Sequence, residues 1–154
     1  MITHPHREEG IVRTTRAAVV MLMVATALVV LIITIGGWSV LEGMIVVDIA
    51  FILIYAVLAF YALRWNRGVL PVAASVSVLL GIFAAVAAPA WFSREAFGYA
   101  QPALSSNMIG LLCLLLVPLQ IALIVFSMRG FKQGWNVEVE RPSAPAAGAS
   151  PNPA

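Results

Sequence analysis

Charge is what this sequence has least of. Only 10% of its 154 residues are Asp, Glu, Lys or Arg, against about 25% in an average soluble domain. Hydrophobic residues make up 62% and the mean hydropathy is +0.98, so the chain lies outside the soluble class. Cysteine is nearly absent as well. Cys113 is the single one, which excludes an intrachain disulfide and a CxxC pair for redox or metal chemistry. Its expected role is that of a small buried residue at a helix interface.

Histidine occurs only as His4 and His6, both in a polar terminal segment. Two imidazoles without a third ligand read as solvated side chains, not as a metal site. No histidine lies in an apolar run, which excludes bis-imidazole haem ligation across a bundle. No lysine lies in one either, so a retinal-type Schiff base has no anchor. Paired carboxylates, a Ser/His/Asp set and a P-loop glycine spacing are all missing. Membrane enzymes of phospholipid synthesis need clustered acids for their metal, and a single acid within the apolar runs cannot supply one. No catalytic activity, cofactor, metal or nucleic-acid partner is therefore expected.

Long apolar runs are what the chain has instead. The run from Met44 to Arg64 is nearly continuous, with Asp48 set inside it. About 20 apolar residues suffice for a helix to cross a bilayer, and a chain in lipid must satisfy its backbone internally. Four spans meet that length: 17–35, 44–63, 69–88 and 108–128. The first exceeds the roughly 7–15 apolar residues of a signal peptide, and no A-x-A cleavage pattern follows it. The expected fold is all-α, an integral membrane four-helix bundle over 17–128. A polar segment, 1–16, precedes it. A tail, 129–154, follows, rich in Pro and Ala and disordered from about 141.

Basic residues set the expected orientation. Arg7, Arg13 and Arg16 precede the first span, Arg64 and Arg67 fill the second connection, and Arg129, Lys132 and Arg141 follow the fourth. Arg94 alone lies on the other side. That asymmetry predicts both termini in the cytoplasm, in a multi-pass protein of a bacterial inner membrane. The excess of Arg over Lys, with abundant Ala and Val, is the bias of a GC-rich bacterial genome. Trp38, Trp65, Trp91 and Trp135 fall near the predicted span ends, as an interfacial aromatic belt would place them.

The connections set neighbours. RWNRG is short enough only for an antiparallel hairpin, and GGWSVLEG nearly so. The segment 89–107 is longest and carries Trp91, Phe92, Phe97 and Tyr99, which reads as an outer surface segment, either a plain loop or a lid.

Small residues mark the expected packing faces. Ser77 and Gly81 form a small-xxx-small pair in the third span, and Ser106, Gly110, Cys113, Gln120 and Ser127 share one face of the fourth. Pro118 removes one backbone donor mid-span and predicts a kink. An unpaired Gln120 in hydrocarbon costs several kcal/mol by order of magnitude, so it is expected to point into the bundle. Asp48, about 6 Å into its span at ~1.5 Å per residue, is a functional candidate by default. A polar cluster is expected around it, with Arg94 or Asn107 as closest partner and Thr34 as a third neighbour.

Two functions fit these features. The first is a small non-catalytic accessory or assembly subunit of a larger membrane complex, or of a homo-oligomer, embedded in the lipid bilayer. The second is a small oligomeric transporter or channel with Asp48 as the ion- or proton-linked carboxylate and Tyr55 and Gln120 along its path.

Overall fold

The protein is described by a computed structural model that covers residues 2–3, 10–96, 102–135 and 139–140. Four helices carry the fold: α1 (Gly10–Leu41), α2 (Met44–Leu63), α3 (Val69–Ala96) and α4 (Ser106–Lys132). All four are long and apolar enough to cross a membrane. By length and composition the protein is a multi-pass membrane protein.

Burial supports that reading from the structure. Large apolar side chains such as Met21, Val46 and Val86 are 70% exposed or more, while Thr26, Ser77, Ser106 and Gln120 are essentially inaccessible. A soluble protein hides its apolar side chains and hydrates its polar ones. Lipid reverses the preference, because an exposed hydroxyl or amide finds no partner in hydrocarbon.

Helices run longer than the apolar runs alone predict. Residues 36–41 continue α1 through two glycines, so Glu42 and Gly43 alone make the turn into α2, in place of the GGWSVLEG connection. The backbone of Glu42 is left-handed, at φ 40°. Gly36 is not a breaker here but a close-approach site. A Cβ there would lie 2.8 Å from Leu104, whose amide donates to the Gly36 carbonyl at 3.0 Å. Helix α3 likewise runs through Pro89 to Ala96, where the sequence predicts a surface loop. A proline in a helix costs one backbone bond and crowds the carbonyl four residues earlier, yet helices in membranes tolerate it. The stretch of that loop with Phe97 and Tyr99 lies outside the described residues. So do His4, His6 and the tail expected to be disordered.

Helix α4 starts at Ser105, whose hydroxyl accepts from the Met108 amide at 3.4 Å, and it is continuous through Pro118. Packing is uneven. Helix α3 lies along α4 and α1 lies along α2 and α4, whereas α2 and α3 touch only sparsely. A two-residue antiparallel pairing of β1 (Ile2–Thr3) with β2 (Val139–Glu140) brings the segment before α1 beside the one after α4.

The arginine-rich end is sealed. Trp65 adopts φ 62°, a left-handed conformation that costs a non-glycine residue roughly 1–2 kcal/mol. Its ring explains why the strain persists. The Arg16 guanidinium lies 4.1 Å over it, and Trp135 meets it edge-on at 5.8 Å. Arg16 also donates to the Leu63 carbonyl at 2.9 Å, and Arg67 stacks on Phe131 at 4.2 Å. Trp135, expected in a lipid-facing belt, is fully buried in this clasp.

Candidate functional site

Two polar assemblies occupy the interior, and they differ in completeness. The first lies halfway along the bundle. Ser77 Oγ sits 3.3 Å from Tyr55 Oη; Tyr55 Oη donates to Gln120 Oε1 at 2.7 Å; Gln120 Nε2 donates to Thr26 Oγ1 at 3.1 Å. With Thr26 on α1, Tyr55 on α2, Ser77 on α3 and Gln120 on α4, each helix contributes one member. All four are at most 1% exposed. Since the Tyr55 hydrogen goes to Gln120, Ser77 is the donor of the remaining bond. Tyr55, Ser77 and Gln120 are legible in the sequence as interior candidates, but Thr26 is not conspicuous there. A signal for it exists: Val12, Thr15, Val19, Met23, Thr26 and Val30 recur at spacings of three and four, and all are buried.

The small residues of the third and fourth spans are spread along the helix interfaces, and Gly81 is the glycine at this brace. Gly81 faces Gln120, and a Cβ added at Gly81 would lie 3.4 Å from the Gln120 Cβ. At Gly110 a Cβ would fall 2.9 Å from the Phe92 ring, so glycine there is what lets α4 approach α3. Pro118 is exposed on the opposite face of α4.

The second assembly is smaller. Asp48 is partly buried one turn into α2, and the hydrogen bond described for it comes from Thr34 Oγ1 at 3.3 Å. Thr34, expected as the third neighbour of Asp48 after Arg94 or Asn107, is the partner described. Asn107 lies in the first turn of α4, and Arg94, near the end of α3, has its guanidinium 5.9 Å from the Trp91 ring. The reason is helical register: α1 reaches as far as Leu41 before a two-residue turn, which sets Thr34 level with Asp48. Thr34 Oγ1 also lies 2.8 Å from the Val30 carbonyl. One hydroxyl hydrogen cannot serve both acceptors fully, and the shorter contact holds it. Asp48 is therefore poorly served.

Asp48 opens onto a cleft of about 570 Å³ between α2 and α3, walled also by Phe51, Phe83, Trp91, Cys113 and Leu116. The cleft exists because α2 and α3 part on this side while α1 and α4 close the back. Phe51 and Phe83 meet edge-on across it at 6.0 Å. Cys113 is buried in its wall, consistent with packing. Among the described residues no group of three His, Cys, Asp or Glu is placed to hold a metal. No family model, curated protein or solved structure matches this chain.

Proposed function

We propose that this chain is a small non-catalytic membrane protein that serves as an accessory or assembly subunit of a larger complex, seated in a bacterial inner membrane with both termini on the cytoplasmic side. The observation that carries this reading is the four-helix brace. Thr26, Tyr55, Ser77 and Gln120 satisfy one another and are closed to solvent, so the polar groups at mid-bundle are committed to holding the helices together. A bundle of this kind is a rigid body whose broad apolar exterior is available to other membrane helices.

Extraction in a mild detergent, followed by identification of what co-purifies, tests it. A stoichiometric set of other polypeptides is the expected result, and a lone, monodisperse small oligomer would remove the accessory role. Orientation has its own check: a terminal reporter active only outside the cell should stay silent.

One observation favours the second reading, a small transporter with Asp48 as the coupled carboxylate. The cleft reaches Asp48 from the side. Against a path along the bundle axis stands the same brace, since Tyr55 and Gln120 would have to leave their partners to line it. Under the transport reading the route runs between α2 and α3 instead.

A further inference from the structure

The α2/α3 cleft combines three properties that together specify a ligand. Its size is the first. About 570 Å³ lies within the ~300–1,000 Å³ of small-molecule sites. The second property is charge. Asp48 is the acid on the cleft, and among the described residues its hydrogen bond is the shared Thr34 hydroxyl and no cation is bonded to it. The third is the aromatic wall of Phe51, Phe83 and Trp91. Phe51 and Phe83 meet edge-on and Trp91 already has the Arg94 guanidinium 5.9 Å from its ring, a lining whose π-systems suit an apolar cation.

We propose that the cleft binds a monovalent organic cation with an apolar body about the size of a few rings, its charge on Asp48 and its body against Phe51, Phe83 and Trp91. A single carboxylate sets the single charge. The lateral opening sets the apolarity, because the ligand must partition into lipid before it enters. The site stands apart from the accessory role, since co-purifying subunits and cation binding are separate measurements and either can fail alone.

Equilibrium dialysis of radiolabelled tetraphenylphosphonium against the full chain in detergent is the test. Saturable binding near one per chain is expected. Tetraphenylborate, of the same shape and opposite charge, should not compete. Asp48→Asn should weaken binding roughly tenfold or more, as loss of one partner of a desolvated charge pair does, and Asp48→Glu should keep most of it. Ala87→Trp, which fills the cleft and leaves Asp48 in place, should abolish it. If Asp48→Asn fails to elute as a folded particle, Ala87→Trp and the borate competition decide. Equal binding by wild type and Asp48→Asn would overturn the proposal. So would competition by tetraphenylborate, binding that survives Ala87→Trp, or a co-extracted aminolipid or polypeptide that the cation cannot displace and Ala87→Trp releases.

Discussion

At the arginine-rich end Trp135 is fully buried against Trp65, under the Arg16 guanidinium, while at the other end Asp48 looks onto a cleft of about 570 Å³. The same four helices build both. What differs is the spacing of α2 and α3. Near their shared turn the two helices are tied by the five-residue connection, where Asn66 accepts from the Gly68 amide at 3.0 Å and donates its own amide to the Tyr61 carbonyl at 3.1 Å. Away from that turn the contacts described between them are sparse, the Tyr55–Ser77 bond at 3.3 Å and the edge-on Phe51–Phe83 pair among them, and around these they part. Polar groups follow the same division. At mid-bundle four side chains bond one another and toward the closed end Gln133 donates to Thr15 at 3.0 Å, although Ser127 Oγ and Arg67 Nε are buried there without a hydrogen-bond partner. On the open side an acid shares a single hydroxyl.

The largest expected effect belongs to the closed end. Trp135→Ala should cost about 3–5 kcal/mol of stability in a denaturing-detergent titration, the range for deleting a buried tryptophan. A loss under ~1 kcal/mol would mean that the clasp does not close this end. Next comes the mid-bundle brace. Gln120→Leu keeps most of the volume but leaves the Tyr55 hydroxyl without its acceptor, at roughly 1–2 kcal/mol. The double variant Tyr55→Phe/Gln120→Leu should recover part of that, because the Tyr55 donor goes together with its acceptor and the further loss is the longer Ser77 contact at 3.3 Å. Additive losses would show that packing, not the hydrogen bond, is what Gln120 supplies. The smallest effect is predicted at the open end. Asp48→Asn should change stability by less than ~0.5 kcal/mol, since its one bond is long and shared. A loss as large as that of Gln120→Leu would place Asp48 in the brace and erase the distinction between the two ends.

Much of the fold is legible in the residues. The run from Met44 to Leu63 is the helix α2 residue for residue, because hydrocarbon length and the capping glycine coincide there. Gly36, Gly37 and Pro89 mislead for one common reason. In water these residues end helices through exposed backbone, but in α1 and α3 the helix continues. Leu104 packs on Gly36, and the Ser93 hydroxyl donates back to the Pro89 carbonyl at 2.9 Å. The candidate site is half legible. Asp48, Tyr55 and Gln120 stand out as polar residues in apolar runs, and nothing local says which partner each will meet. Thr34 meets Asp48 because the true length of α1, not its apolar stretch, sets the depth at which its threonines lie.

The sequence by itself determined that the chain belongs in a bilayer, that four runs are long enough to cross it, and that all its arginines but Arg94 fall on one side of those runs, since these follow from transfer of single residues between water and lipid. Only the tertiary structure decided that four polar side chains from four helices form one chain of bonds and that α2 and α3 separate over Asp48. Those outcomes depend on register and on the angle between helices, which no residue carries alone.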